Sequence, residues 1–94
     1  MTTVVIRHKV GNLDKWLKGH QDRVEIFSKF ASGFQTLQDT NDPDSVVLVA
    51  EVFDVDAMQA VMSNPDIIQK IAKEKHSVLE PIIVSVPVAV AETV

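Results

Sequence analysis

The chain has no cysteine, which excludes disulfides, thiolate metal ligation and thiol nucleophiles. Its three glycines stand apart at positions 11, 19 and 33, so no glycine-rich loop is available to cradle a phosphate. Ser28, Ser32, Ser45, Ser63, Ser77 and Ser85 all lack the glycines two residues to either side that build a hydrolase nucleophile elbow. His8, His20 and His76 show no His-x-His or His-x-x-x-His spacing, so neither a metal nor another cofactor is expected. No apolar run approaches the length of a membrane span. The opening Met-Thr-Thr-Val-Val-Ile-Arg-His-Lys places its basic residues after a very short apolar run, the reverse of a secretory signal. A formal charge of −4 supplies no basic face for nucleic acid or anionic lipid. The expectation is a soluble cytoplasmic protein with neither nucleic acid nor membrane as partner.

What remains is the composition of a packed globule. Of 94 residues, 46% are hydrophobic, and a chain of this length is one domain. At that size folding buries only roughly 60 to 65% of the surface an unfolded chain exposes, so help from a second copy is valuable.

Thr3 to Val10 alternates Val4, Ile6, His8 and Val10 with Val5, Arg7 and Lys9, a strand pattern that puts His8 on the aliphatic face. Gly11 breaks the strand and Asn12 is a good N-cap, opening a helix expected to run to about Ala31. Leu13, Leu17, His20, Val24, Phe27 and Ala31 recur at helical spacing and predict its inner stripe, with Trp16 and Arg23 beside it. Ser32-Gly33 is the expected stop. Phe34 to Thr40 reads as a weaker strand, and residues 41 to 45 as a turn rich in Asx and proline.

Ser45 to Phe53 is a strongly apolar strand, Asp54 caps a helix carrying Val55, Met58, Val61 and Met62 inward, and Asn64-Pro65 starts a second helical piece with Ile67, Ile68, Ile71 and Ala72 inward. His76 to Glu80 reads as a connector and Ile82 to Val90 as the last strand, with Pro87 fitting an edge or bulge. Ala91 to Val94 reads as a loose end. The order predicts an α+β, ferredoxin-like βαββαβ sandwich: a four-stranded antiparallel sheet with both helices on one face. Residues 46 to 50 and 82 to 84 are apolar on both parities, so the rear face also needs cover. Leaving it wet costs roughly 25 cal/mol per Å², and a homodimer joined sheet to sheet removes that cost.

Several stretches together resemble the dimeric α+β barrel superfamily and its antibiotic biosynthesis monooxygenase-like and cyclase-like members. They are Arg-His-Lys-Val at 7 to 10, Leu-Asp-Lys-Trp at 13 to 16, the proline turn at 41 to 44, Val-Leu-Val-Ala-Glu-Val at 47 to 52, the acidic entry at 54 to 56 and Asn-Pro at 64 to 65. The resemblance implies a homodimeric barrel, with a pocket in each subunit between its helices and its own sheet. The superfamily spans cofactor-free monooxygenases, polyketide cyclases, lactone isomerases, haem-degrading enzymes and non-catalytic proteins, so it fixes no reaction. Cofactor-free monooxygenases acting on aromatic polyketides commonly use tyrosine with tryptophan, and this chain has no tyrosine.

The residues that break apolar patterns are the candidates for chemistry. His20 and His8 are the candidate bases, since an imidazole desolvated within an apolar stripe stays neutral and can accept a proton. Trp16 offers a ring on which a flat substrate can stack, and Arg7 or Arg23 a charge to stabilise an anion. Glu51, a carboxylate after five apolar residues, calls for Arg7 or His8 as partner. The function these residues predict is binding of a small planar or enolisable molecule and proton abstraction from it. The alternative is a non-catalytic dimer or larger assembly whose pocket is filled by its own side chains.

Overall fold

The computed structural model describes residues 1–88. The elements are β1 (Thr2–Val10), α1 (Leu13–Lys18), α2 (His20–Phe27), β2 (Ala31–Gln38), β3 (Ser45–Val52), α3 (Val55–Met62), α4 (Asp66–Lys75) and β4 (Val78–Ser85). The strands form one sheet in the order β2-β3-β1-β4, antiparallel at every pairing. This is the expected ferredoxin-like sandwich. No helix among the described residues is long and apolar enough to cross a membrane.

The period of two decides which face of the sheet is the core. On β1, Val4, Ile6, His8 and Val10 are buried. On β3, Val46, Leu48, Ala50 and Val52 are buried opposite them. Trp16, Phe27, Phe30 and Met58 close over this face from the helical layer. The other face carries Val5, Val47 and Val49, half-buried, and exposed Leu37, Leu79 and Ile83, with Arg7 and Gln35 among them. It is apolar through its middle, as expected.

The first helical stretch departs from the expectation. Gly19 (φ −82°, ψ 4°) divides it into α1 and α2, and α2 ends at Phe27, well short of Ala31. Asn12 caps α1 as predicted, its Oδ1 accepting from the Lys15 N–H at 3.1 Å. The chain turns early because Phe30 drops fully into the core and its carbonyl accepts the N–H of Phe53 at 2.9 Å. Ser32 and Gly33, read as a stop, therefore lie in β2 and not at a helix end. The break also changes which side chains face inward. Leu17 and Val24 are 50% and 38% exposed, whereas Trp16 and Arg23 are buried.

Asp54 caps α3 through the Ala57 N–H at 3.0 Å. Beyond Pro65, α4 is wound in the wide π form, ending with the His76 N–H bonded to the Ile71 carbonyl, five residues back, at 2.9 Å. Ser77 follows at φ 61°, and β4 starts at Val78, earlier than the sequence predicts, so only His76 and Ser77 connect. The expected strand end at Val90 and the expected loose segment 91–94 lie outside the described residues, and Pro87 lies beyond β4.

Candidate active site

A cavity of about 70 Å³ lies between the helical layer and the sheet. One water needs roughly 10 to 15 Å³ on this measure, so the space holds several waters or a small organic group. Most of its wall is aliphatic, drawn from Ile6 on β1, Leu48 on β3, Ile26 on α2 and Ile68 and Ile71 on α4. The polar residues in the wall are His8, Arg23 and His76, with Trp16 beside them.

His8 reaches the cavity because its strand parity puts it on the core face. It is buried, and neither ring nitrogen has a hydrogen-bond partner among the described residues. Its ring meets Trp16 edge-on, with centroids 5.7 Å apart and planes at 67°. Burial, and then the charge of Arg23, push its pKa down to about 4. At neutral pH His8 is therefore an uncharged imidazole with a free lone pair.

Arg23 lies over the Trp16 ring, its Cζ 4.0 Å from the ring centroid. Such a desolvated cation–π contact is worth about 2 kcal/mol. Nη2 donates to the Trp16 carbonyl at 2.6 Å, and Nη1 makes a long 3.5 Å contact with His76 Nδ1. The Arg23 Nε–H and the Trp16 indole N–H are buried without partners. Burial lowers the Arg23 pKa to about 10, opposed by Asp22, which leaves the guanidinium charged at neutral pH.

His76 backs Arg23 from the end of α4. Its Nε2 lies 3.0 Å from Asp22 Oδ2, which also holds Lys75 Nζ at 2.8 Å. Those two partners keep the Asp22 carboxyl below its ordinary range, Lys75 first. Since Arg23 can only donate, Nδ1 of His76 is the acceptor and Nε2 carries the proton toward Asp22.

The sequence-derived candidates are thus only partly brought together. His8, Trp16 and Arg23 share the cavity. His20 does not: it is exposed, its ring 5.6 Å from Phe34, over a separate depression beside β2. The break at Gly19 puts it at the start of α2, off the stripe a continuous helix would have given it. Arg7 and Glu51 project from the opposite, open face of the sheet and are exposed. The expected pair between them is not made, because the register sets Arg7 against Val47 and Glu51 against Thr3. Glu51 instead accepts from the Thr3 hydroxyl at 2.8 Å.

Two members of the cluster, His76 and Asp22, were not expected in the site. They are separated by 54 positions in the chain, and no local pattern joins them. The one signal is Gly19. A Cβ there would sit 2.5 Å from the His76 ring, so the glycine marks where another group comes close.

No family model matches the chain, and no curated protein matches it. Solved structures do. One is an antibiotic biosynthesis monooxygenase: 17% identity, TM-score 0.68, covering 97% of this chain and 100% of that one. A second is SnoaB, a cofactor-independent oxygenase from Streptomyces nogalater: 16% identity, TM-score 0.68, covering 96% and 93%. A third, from Mycobacterium tuberculosis, covers all of both chains at 12% identity with a TM-score of 0.55. The likeness read from the residues is borne out at the level of the backbone, and the chain has the fold of the antibiotic biosynthesis monooxygenase-like proteins.

Proposed function

We propose that the protein is a small-molecule-binding homodimer acting as a cofactor-independent monooxygenase- or cyclase-like enzyme on a planar or enolisable substrate. The observation that carries this reading is His8: a buried, unpartnered, neutral imidazole in the wall of an open cavity, beside a guanidinium held over an indole. A filled interior would leave no such space. The substrate lies in the cavity against Trp16 and gives up a proton to a ring nitrogen of His8. The negative charge that develops on its oxygen is met by Arg23, an electrostatic stabilisation strengthened by the dry surroundings. A base this weak, with an imidazolium pKa of about 4, works only because the anion it generates is stabilised at the same moment.

In the cyclase branch the carbanion attacks a carbonyl of the same molecule. In the oxygenase branch dioxygen takes the electron pair, one oxygen atom ends in the product carbonyl and the other leaves as water, so a CH₂ becomes C=O without a cofactor. The likeness to a cofactor-independent oxygenase supports this reading, as does a wall with one polar end and an otherwise aliphatic lining. Pairing of two open sheet faces accounts for the apolar residues that the helices do not cover.

The experiment is α-proton exchange of acetone, an enolisable ketone small enough for the cavity, in D₂O, followed by NMR. Wild-type protein accelerates exchange over buffer, and His8→Gln removes about a hundredfold of that acceleration, the usual contribution of one general base. Exchange no faster than in buffer, or unchanged in a folded His8→Gln variant, rejects the proposal.

A further inference from the structure

Two departures from regular backbone and one missing side chain converge on one imidazole. The π winding of α4 ends in the bond from His76 N–H to Ile71. Ser77, the next residue, holds the left-handed conformation at φ 61° without being glycine. On the facing helical pair, the missing Cβ of Gly19 leaves room that the His76 ring occupies. π turns and non-glycine left-handed residues are costly and concentrate where a side chain must be aimed. The side chain aimed here is almost wholly buried, at 3% exposed, and the chemistry proposed above makes no direct use of it.

We infer that His76, oriented by Asp22, is the positioning residue of the site, fixing the Arg23 guanidinium over the Trp16 ring where it meets the developing anion. This rests on the role proposed for Arg23. A chain of contacts runs from solvent inward: Lys75 to Asp22, Asp22 to His76 Nε2, and His76 Nδ1 to Arg23 Nη1. Asp22 selects the tautomer, so the lone pair of Nδ1 faces the guanidinium. Without that acceptor Arg23 keeps the Trp16 carbonyl and ring as its contacts but loses the group that stops it swinging along the ring plane. No salt bridge to Arg23 exists among the described residues; the negative charge of Asp22 acts on it without a direct contact.

The test is a double-mutant cycle of His76→Phe and Arg23→Gln, read in two ways. Trp16 is the single tryptophan and the chain has no tyrosine, so intrinsic fluorescence reports the indole beneath the guanidinium. His76→Phe is expected to shift the emission and raise acrylamide quenching in the wild-type background, and to change neither further once Arg23 is Gln. In acetone exchange the same variant lowers kcat about tenfold with KM nearly unchanged in the wild type, and less than about twofold in Arg23→Gln, the non-additivity of residues that act as a unit. His76→Gln, whose amide donates to Asp22 and accepts from Arg23, restores the wild-type emission. Should His76→Phe fail to fold, Asp22→Ala replaces it in the cycle. Additive fluorescence effects, or failure of His76→Gln to rescue in a folded protein, overturn the inference even if acetone exchange is normal. Absence of exchange in the wild type with a coupled fluorescence cycle rejects the enzymatic reading and leaves the positioning role standing.

Discussion

His8 couples the site to the stability of the fold. The unfolded chain takes up a proton there near the ordinary 6.5, whereas the native site takes one only at about 4. Between those values the unfolded state binds more protons, so native stability is complete above pH 6.5 and falls as the pH is lowered toward 4. Each unit is worth up to about 1.4 kcal/mol, giving about 3 kcal/mol across the window. Urea unfolding at a series of pH values checks this: the wild type weakens through the window, and His8→Leu flattens the curve. The loss that remains at lower pH belongs to carboxylates such as Asp22 and Asp42, whose pKa values Lys75 and Lys9 hold down. An equal slope in His8→Leu would remove the basis for a desolvated imidazole. The position of His8 was legible because a strand's period of two needs no tertiary information. Arg7 was misread for the complementary reason: the alternation placed it on the opposite face, but its pairing with Glu51 depended on a register that only the folded sheet defines.

Among the elements, the informative misreading is the long first helix. Its strand neighbours, its N-cap at Asn12 and the cap of α3 at Asp54 follow from local residue chemistry and were readable. The break at Gly19 was not, because glycine inside a helical pattern costs only about 1 kcal/mol and is ordinarily tolerated. What the fold requires at position 19 is a missing side chain, because the His76 ring arrives there from a distant helix end. With the helix broken there, Leu17 and His20 lie exposed while Trp16 and Arg23 are buried, so His20 stands apart from the cavity that the indole and guanidinium line. Gly19→Ala separates the two influences. On helix propensity alone alanine stabilises by up to about 1 kcal/mol, but here its Cβ falls 2.5 Å from the His76 ring. Overpacking of this kind costs about 1 to 3 kcal/mol, so the variant is expected to be less stable in urea unfolding, with a shifted Trp16 emission. A more stable Gly19→Ala with unchanged fluorescence would mean that the ring is free to move away and that the approach is not a constraint.

For the molecule as a whole, the sheet separates two tasks. Its helix-covered face holds the cavity, while its open face carries Val5, Val47 and Val49 in a band flanked by Leu37 and Ile83, with Arg7 and Gln35 interrupting it and Thr3, Lys9 and Glu51 at its ends. Such a band is too apolar to be left wet without cost, yet polar enough in places to fix one register between two copies, since a buried guanidinium must find a partner in the facing sheet. A dimer built this way buries no residue of the cavity, so assembly and site are separable by mutation. Val49→Asp places a charge at the centre of the band, opposite Val5 and Gln35 on the neighbouring strands. Sedimentation at micromolar concentration is expected to give twice the chain mass for the wild type and a single chain for Val49→Asp. Because small domains depend on shared surface for part of their stability, the variant should also melt earlier, while the fluorescence of Trp16, on the far side of the sheet, stays as in the wild type. A wild type that sediments as a single chain would refute the paired sheet. A Val49→Asp variant that stays dimeric would move the contact elsewhere on the surface.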